Sequence, residues 1–250
     1  LRGRMCQGLL QRLEPISVQE AIKTAPNALA LQSIGELTQN DLPELAVQAY
    51  EKAIVLNDSL YDSWSGLGTI HHLAGRNDQA EKAYRRALEL DDSHPSLCAN
   101  YGQILAINQG RLEEAEKWLR RAAMLDPRNP KVAHNLGTCL WYLGGHDRAE
   151  EALSWFRKAA ALDLNNPKPW VSMGHVYEEV VRDYNEAYKR YQRAISMTSK
   201  APLVRAYLAN LLLHKLAKPD EAKEQYLKAI ADGADSSDCW IGLGQILSEY

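Results

Sequence analysis

The sequence predicts an all-α solenoid of about six and a half helix-turn-helix repeats, and three observations point there. An alanine followed by a large apolar residue four positions later and a second alanine seven positions later recurs six times. The copies are Ala46-Tyr50-Ala53, Ala80-Tyr84-Ala87, Ala115-Leu119-Ala122, Ala152-Phe156-Ala159, Ala187-Tyr191-Ala194 and Ala222-Tyr226-Ala229, with steps of 34, 35, 37, 35 and 35 residues. Upstream of each copy a small residue follows a large one: Ile34-Gly35, Leu67-Gly68, Tyr101-Gly102, Leu136-Gly137, Met173-Gly174 and Leu208-Ala209, with a seventh at Leu243-Gly244. Pro95, Pro130, Pro167 and Pro202 each precede a run of helical pattern, and Asn129 and Asn166 stand before two of them as candidate helix N-caps. Small residues at fixed positions let two helices approach closely, and the large residue fills the space beside them. Glycine inside a helix costs about 1 kcal/mol relative to alanine, so its recurrence implies a packing reason. No single unit can bury its apolar face alone, so neighbours must stack.

Taken in order, residues 1–26 fit the pattern poorly. Ala21 and Pro26 match the end of a second helix, but Pro15 shortens it, so this segment reads as a degenerate repeat or an N-terminal cap. The solenoid then occupies 27–250, in units of 27–60, 61–94, 95–129, 130–166, 167–201 and 202–236. The step of 37 between Ala115 and Ala152 is attributed to Gly144 through Glu151, which lengthen either a turn or a second helix. Residues 237–250 supply only the first helix of a seventh repeat, with Trp240, Leu243, Ile246 and Leu247 facing the sixth. Solenoids end in polar-faced caps. The apolar surface left there is therefore expected to be covered by chain beyond Tyr250, by self-association or by a larger complex.

Composition narrows the function classes. The 250 residues are 46% hydrophobic and 24% charged, with 29 Lys+Arg against 32 Asp+Glu and a formal charge of -3. This is not the composition of a disordered chain, and it lacks the clustered cations with which a dedicated nucleic-acid binder displaces counterions from phosphate. No apolar run approaches the roughly 18 residues that would cross a bilayer, so membrane insertion is not expected. Cys6, Cys98, Cys139 and Cys239 are far apart, with no CxxC pair, and suit neither a disulfide framework nor a zinc site. Cys98, Cys139 and Cys239 fall in helical patterns and read as buried free thiols. That usage favours a reducing, cytoplasmic compartment without fixing one.

The repeated residues resemble the tetratricopeptide repeat family. The family pattern is clearest in Trp64, Leu67, Gly68, Gly75, Ala80, Tyr84 and Ala87, and again in Trp170, Met173, Gly174, Tyr177, Ala187, Tyr191 and Ala194. Ala115 through Pro127 matches the close of the motif, and Trp240 through Gly244 reopens it. The resemblance spans roughly residues 27 to 250. It implies a right-handed α-α superhelix whose first helices line a concave groove. The groove positions would be Ser65, Thr69 and His72; Asn100 and Gln103; Lys131, His134, Asn135 and Thr138; Lys168, Ser172 and His175; then Tyr207, Asn210 and His214. Such donors and acceptors suit an extended peptide, whose backbone groups need partners when withdrawn from water.

In repeat proteins similar to O-GlcNAc transferase, asparagines two residues before the glycine form a ladder that holds peptide backbone. Asn100 and Asn135 match it, while Gly66, Ser172 and Tyr207 replace it elsewhere. The carboxylate clamp of co-chaperone repeats is met only at Asn100 and Lys131, because Ser65, Thr69 and Asn135 stand at its other positions. A chaperone tail is therefore disfavoured, although Lys131 and Lys168 could attract an acidic peptide. Trp141, Tyr142 and Tyr207 are candidate aromatic anchors, with core packing as the competing role.

No catalytic residue, metal or cofactor is expected. Gly66-Leu67-Gly68 and Gly242-Leu243-Gly244 are repeat glycines on helices and not phosphate loops. His71 and His72 point different ways on one helix, and no nucleophile or carboxylate repeats beside His72, His134, His175 and His214. Glu113-Glu114 and Glu178-Glu179 read as solvated faces. The function expected is that of a non-catalytic protein-protein interaction scaffold holding a partner segment in its groove. The alternatives are the substrate-recognition arm of a larger multidomain enzyme such as a glycosyltransferase, or a structural subunit of a large assembly.

Overall fold

A computed structural model describes residues 15–107, 109–234 and 237–249, with the side chains of residues 109 and 249 left aside. Cys6, Tyr250 and most of the N-terminal segment read as a cap lie outside the described residues. The fold is of the all-α, α-α superhelix class, with fourteen α-helices and no strand among the described residues. The chain divides into two compact units, Leu1–Leu125 and Asp126–Tyr250.

The first unit holds α1 (Pro15–Thr24), α2 (Ala28–Thr38), α3 (Pro43–Leu56), α4 (Tyr61–Leu73), α5 (Asn77–Leu90), α6 (Pro95–Ile107) and α7 (Leu112–Leu125). The second holds α8 (Pro130–Leu143), α9 (His146–Leu162), α10 (Lys168–Val176), α11 (Tyr184–Ser196), α12 (Pro202–His214), α13 (Pro219–Ala231) and α14 (Ser237–Glu249). Short connections fold α2/α3, α4/α5, α6/α7, α8/α9, α10/α11 and α12/α13 into antiparallel hairpins. The even-numbered members are the first helices of their repeats.

The helix starts follow from local chemistry. Asn27 accepts the Ala30 amide at 2.9 Å, and Asn129 accepts those of Lys131 at 3.1 Å and Val132 at 3.3 Å. Pro95, Pro130 and Pro202 are first helical residues, and Pro167 stands immediately before α10, which begins at Lys168 with Pro169 in the first turn, where the missing N–H does no harm. Asn166 still accepts the Lys168 amide at 3.0 Å. The long step belongs to a second helix. α9 runs 17 residues against 14 for α3, α5 and α7, and a turn through Gly144 (φ 76°) and Gly145 (φ 84°) precedes it.

The recurrent glycines are explained by what lies against them. A Cβ on Gly35 would come within 2.6 Å of the Tyr50 ring, and one on Gly68 within 2.6 Å of the Tyr84 ring. Gly102 faces Leu119, Gly137 faces Phe156, and Gly174 faces Tyr191 in the same way. The ring also serves the following repeat: Gly66 closes on Tyr50 from α4, and Gly242 closes on Tyr226 from α14. Tyr50, Tyr84 and Tyr191 thus each meet two successive first helices. Tyr50, Tyr84, Leu119, Phe156, Tyr191 and Tyr226 are all fully buried, each worth roughly 1.5–3 kcal/mol of apolar burial.

At the ends, α1 seals the first hairpin with Val18 and Ile22 on Leu31, Ala49 and Ala53. α14 places Cys239, Leu243 and Ile246 in the core that contains Tyr226 and Ala229, and leaves Trp240, Ile241 and Leu247 exposed. Cys98, Cys139 and Cys239 are buried free thiols. No helix among the described residues is long and apolar enough to cross a membrane.

Candidate functional site

Gly66 and Asn100 in the first unit, and Tyr207 and Gly242 in the second, each two residues before the small residue of a first helix, meet the large motif residue of the preceding repeat, and this places polar side chains of the first helices beside it. In the first unit, the buried Tyr84 extends its hydroxyl to the first-helix face, where it donates to Thr69 Oγ1 at 3.3 Å and is hydrogen-bonded with Asn100. Tyr50 does the same toward Gln39 Oε1 at 3.4 Å. Thr69 donates in turn to the Ser65 carbonyl at 3.0 Å. His72 meets the Tyr84 ring edge to face, with centroids 6.4 Å apart, and burial lowers its pKa. Asn100 and Gln103 are half-buried on α6. His71 is buried beside Arg76, whose charge adds to burial in lowering its pKa. The adjacent histidines therefore occupy different environments.

The second unit carries the richer face. Lys131 and Lys168 are exposed in the first turns of α8 and α10. His134 Nε2 lies 3.1 Å from Ser172 Oγ, joining α8 to α10, and Thr138 donates to the His134 carbonyl at 3.0 Å. Burial chiefly, and then the Lys168 ammonium, keep the His134 imidazole neutral to lower pH. Asn135 is half-buried and hydrogen-bonded to His134. Asn210 on α12 accepts the Tyr226 hydroxyl at 2.5 Å, so it is held by the wedge beneath it.

Beside these lies a continuous set of rings. Trp141 at the end of α8 stacks on Tyr142 (centroids 5.0 Å, interplanar 18°) and on His175 of α10 (5.7 Å, 6°), and Tyr207 of α12 meets His175 at 4.7 Å and 71°. His175 Nδ1 and Glu178 Oε2 each lie 2.9 Å from the hydroxyl of Tyr191. Burial lowers the His175 pKa and raises that of Tyr191, and Glu178 raises Tyr191 further. Three helices thus contribute to one aromatic surface.

The expectation of a solvated face holds for Glu179, which is exposed, and needs correction for Glu178. α10 widens after Val176 into a π-helical turn, Tyr177–Val181, which Arg182 closes in the left-handed region at φ 60°. The widened turn puts Glu178 over the Tyr191 hydroxyl, while burial and the neighbouring Glu178 carboxylate raise the pKa of Glu179. Tyr191 and Glu178 are therefore site residues that the sequence reading treated as packing and surface. The available signal was the hydroxyl itself: Tyr84, Tyr191 and Tyr226 carry one at a position where Leu119 and Phe156 do not.

Asn100 belongs to the first unit and Asn135 to the second. Among the described residues, no group of three or more His, Cys, Asp or Glu could hold a metal ion. The chemistry offered by the second-unit face is hydrogen bonding and stacking, through hydroxyls, imidazoles, amides and rings on three parallel first helices.

Comparison with known proteins agrees with this architecture. Residues 32–95 and 71–136 match two family models, each described as tetratricopeptide repeat. Anaphase-promoting complex subunit 3 of Schizosaccharomyces pombe (strain 972 / ATCC 24843) is 35% identical over 69 residues, which cover 28% of this chain and 10% of that protein. The chain thus spans about a tenth of the length of that curated relative. The crystal structure of the APC/C hetero-tetramer Cut9-Hcn1 shares the fold at a TM-score of 0.70 and 19% identity, covering 92% of this chain and 45% of the other. YrrB, described as a TPR protein with an unusual peptide-binding site, superposes at a TM-score of 0.64 and 21% identity, covering 75% and 95% of the two chains. Wedged glycines, stacked hairpins and matching family models lead to one assignment: the chain is a tetratricopeptide repeat protein.

Proposed function

We propose that the chain is a non-catalytic interaction scaffold that holds an extended segment of another protein on the first-helix face of its second unit. The observation that carries this reading is the juxtaposition of Trp141, His175 and Tyr207 from three first helices, flanked by Lys131, His134, Asn135, Thr138, Lys168, Ser172 and Asn210. Rings supply apolar contact and the polar groups supply partners for peptide backbone. Asn100 and Gln103 would extend the same kind of surface in the first unit. The peptide-binding site named for YrrB supports the reading by analogy of fold.

A random dodecapeptide display library, panned against the whole chain and against a Lys131→Glu/Tyr142→Arg/Lys168→Glu variant, tests it. All three positions are exposed, so folding is expected to be unchanged, as circular dichroism would verify. Peptides selected on the wild-type chain should lose at least about tenfold in affinity for the variant. Equal retention would remove the face from consideration.

A second reading has its own support. The second helices end in exposed aliphatic residues, Val55, Leu56, Met124 (75% exposed) and Leu125 in the first unit, and Leu162 with the following Leu164 (74% exposed) in the second. Apolar surface of this kind suits a structural subunit buried in an assembly, and the similarity to a subunit of the anaphase-promoting complex points the same way. Light scattering across a range of concentrations, with Met124→Lys and Leu164→Lys for comparison, would show whether these ends mediate association.

A further inference from the structure

We infer that the aromatic face around His175 takes the cationic side chain of the partner segment, a lysine or an arginine. This rests on the groove reading above and names the chemistry of its occupant.

The hydroxyl of Tyr191 has two partners and one proton to give. A carboxylate is acceptor-only, so the single phenolic proton goes to Glu178 Oε2 at 2.9 Å. The other contact of the same oxygen, His175 Nδ1 at 2.9 Å, must then be the donor. That fixes the neutral imidazole with its proton on Nδ1 and leaves Nε2 as an acceptor. Tyr191 acts here as a positioning residue, since it orients both the imidazole and the carboxylate.

Glu178 and Glu179 are consecutive in the π-helical turn, and no lysine or arginine forms an ion pair with either among the described residues. Two nearby guanidinium groups are committed elsewhere: Arg157 donates to the Tyr177 hydroxyl at 3.1 Å, and Arg190 pairs with Glu186 while lying over the Trp170 and Tyr177 rings. Burial first, and then the neighbouring Glu178 carboxylate, raise the pKa of Glu179.

Tyr142, 53% exposed, caps the stack that runs through Trp141 to His175, and aromatic faces attract cations. An acidic side chain would be repelled by the two carboxylates, and an aliphatic one would leave them and Nε2 without a new partner. A cationic donor satisfies all three features at once.

The test is fluorescence anisotropy of the whole chain with three labelled hexapeptides: serine alternating with arginine, with glutamate or with leucine. The arginine peptide should bind about tenfold more tightly than the leucine peptide at low salt. Glu178→Gln/Glu179→Gln, which keeps shape and an acceptor for Tyr191, should abolish that preference. Glu20→Gln/Glu51→Gln, removing two exposed charges in the first unit, should preserve it. Tyr142→Ala should weaken the arginine peptide several-fold. Equal loss in both double variants would show diffuse charge attraction and overturn the inference. Tighter binding of the leucine or glutamate peptide, sensitive to Lys131→Glu/Tyr142→Arg/Lys168→Glu, would overturn it while leaving the groove reading intact. If no peptide responds to any of these substitutions, both readings fall.

Discussion

The ring of Tyr191 occupies the space that a Cβ on Gly174 would need. Gly174→Ala should therefore destabilise the protein by about 1–3 kcal/mol, since neither the α10 backbone nor a fully buried ring can yield freely. Gly244, one helix beyond the last wedge, faces open space. There the same substitution should stabilise by up to about 1 kcal/mol through helix propensity alone. Urea denaturation of the two variants gives a contrast of sign, and destabilisation of both by the same amount would contradict the packing argument.

Tyr191→Phe keeps the wedge and deletes the hydroxyl shared by His175 and Glu178. A loss of about 1–2 kcal/mol is expected, with the helical content unchanged. Its distinctive sign should be a change in the His175 ring resonances by NMR, whereas Tyr226→Phe, which frees Asn210, should leave them in place.

Acid should weaken the fold before its carboxylates titrate. His71, His72, His134 and His175 all have pKa values lowered from 6.5, in each case first by burial. With folded values below the unfolded one, the unfolded chain takes up protons first as pH drops below about 6.5. The stability contributed by neutral imidazoles is complete well above 6.5 and is lost progressively as pH falls toward the folded values. Glu186, Asp91 and Asp232 are depressed from carboxylate values and act only at lower pH. Denaturation midpoints at pH 7.5, 6.5 and 5.5 should decline across the series, and less steeply in His175→Gln. A flat profile over this range would refute the assignment.

Ala217 sits at φ 50°, in the left-handed region between α12 and α13, where a Cβ crowds the following carbonyl. Ala217→Gly should raise stability by about 1 kcal/mol. Thermal melts are sufficient to check it.

The repeat was legible in the sequence because close helix contact restricts side-chain volume. Gly35, Gly68, Gly102, Gly137 and Gly174 can be nothing larger, and the ring or leucine opposite each must match. Helix starts at Pro95, Pro130 and Pro202 were legible for the same kind of reason, a fixed φ and a missing donor. The site was legible only as a set of residue types. That Ser172 faces His134, 38 residues away, or that Asn210 is held by Tyr226, depends on the stacking of helices and leaves no local trace. The π-helical turn was hidden more thoroughly, because one extra residue per turn rotates Glu178 away from the direction an α-helical count assigns it.

The double seat of Tyr50, between Gly35 of its own repeat and Gly66 of the next, bears on how the array comes apart. In a nearest-neighbour description of a repeat protein, a residue confined to one hairpin weights the intrinsic term, and one gripped by two hairpins weights the coupling between them. Tyr50 contributes to both. Trimming it to leucine should therefore broaden the denaturant transition, with terminal repeats melting ahead of the rest. The fused wedge should make neighbouring repeats unfold as one cooperative block instead of fraying singly from their ends.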